Sequence, residues 1–298
     1  MRLLVTGREG QVVRSLLRLR ATQSDIQVHA VGRPELDLAQ DRDLVGIFEP
    51  LKPDVIVNAA AYTAVDQAES DTDLAFRVNG RGAGLVARAA RQLGIPVIQI
   101  STDYVFPGDG VRPYLESDPV SPVSAYGASK LAGERETAQE NPNHAVLRTA
   151  WVYAPEGKNF VRTMLRLAKS REEVGVVADQ VGNPTSADDI AAAVAAVAIN
   201  LKANPHDPAL RGIFHMTSQG ETTWAGFADT IFRESAARGG PSARVKGIAT
   251  SDYPTPAKRP ANSRLDCSKL RNAHGVVLPS WNDGLARCIN AISMTGEW

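Results

Sequence analysis

Short β-branched runs alternate with helical stretches along the first half of the chain, and few folds accept that order. The runs are Leu3-Leu4-Val5, Val28 to Val31, Val55-Ile56-Val57, Val97 to Ile100 and Ala145-Val146-Leu147. Arg14 to Arg20 and Ala75 to Leu93 read as helices between them, the second stopped by Gly94 with Pro96 beyond. Strand and helix in alternation imply an α/β fold: a doubly wound, Rossmann-type parallel sheet with helices on both faces. In Asp54-Val-Ile-Val-Asn58 the apolar residues do not alternate with polar ones, as expected of a strand buried on both sides.

The second half is less regular. Phe160 to Leu167, Ala187 to Ile199 and Thr222 to Ala237 read as helices, the last capped by Thr222 or Thr223, and Gly212 to Met216 reads as a strand. Pro254, Pro256 and Pro260 mark an extended loop. This predicts a dinucleotide domain over residues 1–150. A smaller α/β substrate lobe over 151–298 closes on it, with some segments returning to the first domain. With 43% apolar residues among 298, a real core can be buried.

Other classes are disfavoured. The 33 basic residues balance the 33 acidic ones, so no basic footprint for nucleic acid is present. No apolar run approaches the ~20 residues of a membrane span. Cys267 and Cys288 stand 21 positions apart without a CxxC, as ordinary reduced cysteines of a cytoplasmic protein do. No secretory signal precedes the first strand. The histidines 29, 144, 206, 215 and 274 lack ligand spacing.

The first chemistry lies at Thr6-Gly7-Arg8-Glu9-Gly10-Gln11-Val12, between the opening strand and a helix. In this context backbone N–H groups at a helix start hold a pyrophosphate. Gly7 allows the tight turn and Gly10 lets the backbone approach phosphates. Val13 stands where a third glycine is usual, which predicts a slightly wider approach of helix to strand. After the second strand come Arg33 and Asp37-Leu38. An acidic residue there suits the adenosine ribose of NAD, and an arginine suits the extra phosphate of NADP. Arg33 tilts the expectation to NADPH, with NADH also used.

The second lies at Ser124-Ala-Tyr126-Gly-Ala-Ser-Lys130, where Tyr126 and Lys130 share a helical face. An ammonium one turn away stabilises the phenolate, lowering the phenol pKa from its usual ~10 and fitting it to protonate an oxyanion as hydride reaches a carbonyl carbon. The strand Val97 to Ile100 runs into Ser101-Thr102-Asp103, and either hydroxyl completes a catalytic set at the strand's carboxyl end. Asn58-Ala-Ala-Ala61 supplies small residues against which a cofactor lies.

These motifs, with Asn58-Ala-Ala-Ala-Tyr-Thr-Ala-Val-Asp66, Arg148-Thr-Ala-Trp-Val-Tyr153, Asp179-Gln-x-Gly-x-Pro-Thr185, Thr222-Thr-Trp224 and Pro254-Thr-Pro-Ala-Lys-Arg-Pro-x-Asn-Ser263, resemble the dTDP-4-dehydrorhamnose reductase family of extended short-chain dehydrogenases. The resemblance covers nearly the whole chain. It implies NADPH- or NADH-dependent reduction of the C4 ketone of a dTDP-linked 6-deoxy-4-keto sugar. Tyr126 would be the proton donor, Lys130 would sit on the nicotinamide ribose, and Thr102 would tune the tyrosine. Thr102, Asp103 and Trp151 would face the substrate. Gly10-Gln11-Val12, Asp37-Leu38 and Ala61-Tyr62-Thr63 would line the cofactor. Some members dimerise through a magnesium site of glutamates. The matching positions here are read as Ser15 and Ser186, so no metal is expected, and monomer and homodimer stay open. A related nucleotide-sugar 4-ketoreductase or epimerase, or a non-catalytic NADP-binding subunit like the partner of methionine adenosyltransferase, shares much of the pattern. Arg259 is a candidate for the ligand's pyrophosphate. Asp66 and Glu69 read as carboxylates favouring a helix dipole.

Overall fold

A computed structural model describes residues 1–22 and 25–298. Its centre is a six-stranded parallel sheet. Five strands come from the first half: β1 (Arg2–Thr6), β2 (Gln27–Val31), β3 (Val55–Asn58), β4 (Val97–Thr102) and β5 (His144–Thr149). The spatial order is β2-β1-β3-β4-β5, followed by Gly212–His215 on the far edge beside β5. All of β3 is buried, which accounts for its unbroken apolar run. Each such Val or Ile contributes roughly 1.5–3 kcal/mol on burial. The chain leaves β1 toward β2 and returns on the other side at β3. That reversal opens a crevice at the carboxyl ends of β1 and β3, where open α/β sheets take their ligands.

The predicted helices form, with shifted ends. The first runs Gln11–Thr22. The stretch expected as one helix from Ala75 is broken into Thr72–Phe76, a π-turn Arg77–Arg81 and Gly82–Gln92. It stops as expected, with Gly94 left-handed at φ 70°. Ser124 caps Ala125–Glu140 by accepting the N–H of Gly127. Thr223, rather than Thr222, caps Trp224–Ala236.

Residues beyond 150 do two things. Ala187–Ala203 packs on the first helix, and Ile190, Val194 and Val197 share a core with Leu3, Val5, Val13 and Leu16. Elsewhere Glu173–Val177 pairs in parallel with Arg244–Ile248, a pairing the sequence did not announce. Helices Phe160–Ala168, Trp224–Ala236 and Trp281–Thr295 close over a second core of Tyr153, Leu165, Phe227, Ile231 and Leu285. Among the described residues, no helix is long and apolar enough to cross a membrane.

Candidate active site

A cleft of about 620 Å³ opens at the β1–β3 crevice. Gly7, Arg8, Glu9 and Gly10 form one wall, Gly32, Arg33, Leu36 and Leu38 a second, and Ala59 to Thr63 the third. Gly7 is left-handed at φ 99°, and a Cβ there would stand 3.3 Å from the Val13 side chain, so Val13 packs directly beneath the turn. The turn is tied to the sheet by Thr6, whose hydroxyl donates to Asn58 at 2.6 Å and accepts the N–H groups of Ala59 and Ala60. The Gln11 carboxamide accepts from Asn159 at 2.9 Å. Asp37 is spent locally, accepting the N–H of Ala39, while Leu38 lines the wall. Arg33 is exposed at the rim, and its neighbour Arg8 is paired with Glu35 at 2.7 Å.

The buried polar line continues across the strand ends. Asn58 donates to Gln99 at 2.7 Å, Gln99 donates to the Ile100 carbonyl at 2.8 Å, and the Lys130 ammonium donates to the same carbonyl at 2.7 Å. Burial pulls the Lys130 pKa down to about 8, against an upward pull from Glu134. The helix bearing Tyr126 and Lys130 is clamped close on both sides. A Cβ at Gly127 would lie 2.2 Å from the Tyr104 carbonyl oxygen, and one at Gly133 2.0 Å from that of Asn79.

The choice between Ser101 and Thr102 is decided by strand alternation. Ser101 turns to Glu134, donating at 2.5 Å. Thr102 turns the other way, donates to Asp103 at 2.9 Å and meets the Tyr126 phenol. The Tyr126 ring packs edge-on against Tyr104, at 5.6 Å between centroids. Its phenol pKa is pushed well above the ordinary value, first by desolvation and then by the nearby Asp103 carboxylate. This is opposite to the expected lowering; the Lys130 ammonium donates to the Ile100 carbonyl. Asp103 is itself buried. Desolvation raises its pKa to about 6, against the downward pull of hydrogen bonds from Ser263 and Thr102.

A second cleft of about 660 Å³ lies on the other side of Tyr104, lined by Asp66, Phe160, Arg166, Arg171, Gln180, Trp224, Tyr253 and Arg259 among others. Trp224 forms its wall. Trp151, expected to face the substrate, stacks on Trp224 with 3.5 Å between centroids and 7° between planes. Asp66 does not serve a helix dipole, and Glu69 serves that of a helix distant in sequence. Asp66 binds Arg259 at 2.7 Å and the N–H of Ala257, and Glu69 accepts the N–H of Ala125 at the start of the Tyr126 helix.

A family model described as the RmlD substrate binding domain matches residues 1–294. The chain belongs to this family. A dTDP-4-dehydrorhamnose reductase of Sinorhizobium fredii is 47% identical over 298 residues, covering 100% of this chain and 99% of the relative. The crystal structure of a dTDP-4-dehydrorhamnose reductase from Clostridium acetobutylicum superposes with a TM-score of 0.90 at 38% identity, over 99% of this chain and 100% of that one. The Bacillus anthracis dTDP-4-dehydrorhamnose reductase, solved in complex with NADP, gives 0.89 at 34% identity, over 97% and 99%.

For this member of the RmlD family, the positions read as matching a metal site carry other chemistry. Ser15 accepts from the Arg18 guanidinium at 2.9 Å, and the same guanidinium binds Glu156 and Asp188 at 2.8 and 2.7 Å. Ser186 caps Ala187–Ala203. Serine thus stands at both positions read as matching glutamate ligands, and each hydroxyl is used within the protein. Sequence reasoning also passed over Asn79 in the π-turn. Its carboxamide donates to the Tyr62 carbonyl, accepts the Tyr62 N–H and donates to Ser129, fixing the cofactor-cleft wall to the Tyr126 helix. Gly80 and Gly82, two glycines within a helical stretch, were the available signal.

Proposed function

We propose that this chain reduces the C4 ketone of dTDP-4-dehydro-L-rhamnose to give dTDP-L-rhamnose, using NADPH and accepting NADH, with Tyr126 as proton donor. The observation that carries this is the meeting of Tyr126, Lys130 and Thr102 at the carboxyl end of β4, with a glycine-turn cleft at β1 and β3 and a cleft of arginines and aromatics lined by Tyr104, which packs on Tyr126. The first cleft fits a dinucleotide: Gly7 and Gly10 bare the backbone for a pyrophosphate at a helix start, Ala59 to Thr63 give a flat wall, and Arg33 stands at the rim. When bound, the dinucleotide supplies the hydride.

The protein's residues supply the rest. The phenol keeps its proton at neutral pH because its pKa is raised, so it is loaded as an acid. As charge develops on the C4 oxygen, the phenol O–H bond breaks toward that oxygen, and the carbinol O–H forms. The phenolate left behind is stabilised by the Lys130 ammonium one turn away and by the Thr102 hydroxyl. Lys130 also takes the ribose of the cofactor. The Asp103 carboxyl, bonded by Thr102 beside the Tyr126 phenol, suits a sugar hydroxyl. Arg259, with Arg166 and Arg171 beside it, suits the diphosphate, and Trp224, braced by Trp151, offers a face to the nucleotide. Both cysteines are free thiols, which agrees with a cytoplasmic reaction.

The test is an assay of the purified protein with NADPH or NADH and a dTDP-4-dehydro-6-deoxy sugar, with the configuration at C4 read by NMR. Stoichiometric cofactor oxidation with formation of the L-rhamnosyl product is expected. Cofactor binding without turnover would transfer the reading to a regulatory subunit, and a different configuration at C4 to another ketoreductase.

A further inference from the structure

Beneath the proposed catalytic set lies a buried ion pair that the reaction itself does not use. Arg148, on β5, grips Glu134 with two parallel bonds, Nε to Oε1 at 2.9 Å and Nη2 to Oε2 at 2.7 Å. Each side chain is 2% exposed. Ser101, on β4, donates to the same Oε1 at 2.5 Å. The guanidinium carbon sits 5.0 Å from the centre of the Phe106 ring. Glu134 is thus bonded to the ends of two neighbouring strands while standing one helical turn beyond Lys130 on the helix that also bears Tyr126.

We infer that Glu134, held by Arg148 and Ser101, is a positioning residue that fixes the Tyr126 helix on the ends of β4 and β5 and keeps Lys130 charged inside the site. A buried pair of this kind is weak evidence for stability, because desolvating two charges costs about as much as their attraction returns. A role in placing a neighbouring charge gives such a pair another reason to exist. Lys130 is buried and its one hydrogen bond is to a neutral carbonyl. Burial alone drives an ammonium to lose its proton, and Glu134 pulls the other way.

The other groups around Lys130 do not replace Glu134. On its own helix stands the neutral phenol of Tyr126. From the loop after β4 come Asp103, protonated below about 6, and Tyr104. From β5 comes Arg148, and beyond it His215, which burial and Arg148 hold neutral. The segments packed on the helix's other side, Thr72–Phe76, Arg77–Arg81 and Gly82–Gln92, carry Asp73, Arg77, Arg81, Arg88 and Arg91 on exposed positions.

The inference rests on the reductase reading for its kinetic arm only. Three variants are made: Glu134→Gln, Glu134→Asp, and Glu134→Gln with Arg148→Met, the last leaving no unpaired buried guanidinium should the first fail to fold. Two profiles are measured against pH: kcat/KM for the sugar nucleotide and the Kd of NADPH by fluorescence. In Glu134→Gln the alkaline limb of both profiles moves to lower pH by about one unit, as expected when one nearby charge is withdrawn from a buried ammonium, and in the double variant it moves the same way by less, because the positive charge of Arg148 leaves with it. Glu134→Asp keeps the limb near the wild-type position while kcat falls, because the charge remains and the helix is less well held. Limbs of Glu134→Gln and the double variant that superimpose on the wild type, with only melting temperature changed, would overturn the inference. If no turnover is seen with any form, the reductase reading falls while the NADPH profile still decides the role of Glu134.

Discussion

Arg259, in the proline-rich loop of the second lobe, is ion-paired at 2.7 Å with Asp66, which follows β3, and donates at 3.3 Å to the hydroxyl of Tyr104. The pair spans the second cleft beside the Tyr126 ring. A diphosphate offers this guanidinium a better, bidentate partner than one carboxylate oxygen. Arg259→Met should therefore raise the dissociation constant of dTDP by roughly 10- to 100-fold, the equivalent of a lost charge-assisted hydrogen bond. Asp66→Asn removes the competitor and should leave dTDP binding equal or tighter. Calorimetry on both variants checks this. Equal weakening in the two would mean that the ligand needs the pair intact.

Arg33 is exposed at the rim of the first cleft, while Arg8 beside it is occupied by Glu35. Arg33 is thus the guanidinium available to a 2′-phosphate. Arg33→Ala should raise the KM for NADPH by about tenfold and leave that for NADH unchanged. Steady-state kinetics with both cofactors decide it, and parallel changes in the two KM values would remove Arg33 from phosphate recognition.

The sheet and the Tyr126–Lys130 pair were legible in the sequence because their signals are local. β-branched runs, a glycine turn and an i,i+4 spacing all act within a few residues. What was missed depends on partners that the fold brings from far away. Asp66 looked like a helix-dipole carboxylate, yet its partner Arg259 is 193 residues distant, and that of Glu69, Ala125, is 56 distant. Trp151 was expected to face the substrate, and it stacks on Trp224, which lines the second cleft. Its ring is covered by Trp224, and no spacing rule tells which of two stacked indoles faces the ligand. Ser101 and Thr102 are adjacent in sequence, and only the pleat of β4 sends one to Glu134 and the other to Tyr126.

Asp103 gives a stability test with a definite sign. Its folded pKa is raised to about 6 from 3.8, chiefly by burial, so its ionisation opposes folding. The stability it leaves intact below about pH 4 is lost as pH rises through about 6. A shift of this size corresponds to about 3 kcal/mol. Asp103→Asn cannot ionise. Its stability relative to wild type should thus grow between about pH 4 and 6 and then level off at up to about 3 kcal/mol. Urea denaturation across this range measures the difference. A constant difference at all pH values would show that the carboxyl titrates normally. Because Asn still presents an oxygen but no charge, the KM for the sugar nucleotide should rise as well.

Tyr126→Phe is the decisive substitution for the mechanism. It keeps the ring that packs edge-on against Tyr104 and removes the one proposed proton donor. General acid catalysis typically contributes 10²–10⁴-fold, so kcat should fall by about that factor. Stability should change by only about 1 kcal/mol, because the phenol's contact is a single neutral hydroxyl, Thr102. NADPH affinity should hardly change, since the phenol addresses the carbonyl and not the dinucleotide. Lys130→Met should be worse on two counts. It removes the cation that stabilises the phenolate, and it removes the group proposed for the cofactor ribose, so NADPH binding weakens together with turnover. It also leaves the Ile100 carbonyl, already shared with Gln99, with one donor fewer. Single-turnover kinetics with a cofactor-binding titration separate the two substitutions. Near-normal turnover in Tyr126→Phe would sink the assignment, because the variant lacks the proposed proton donor while keeping the ring and its packing.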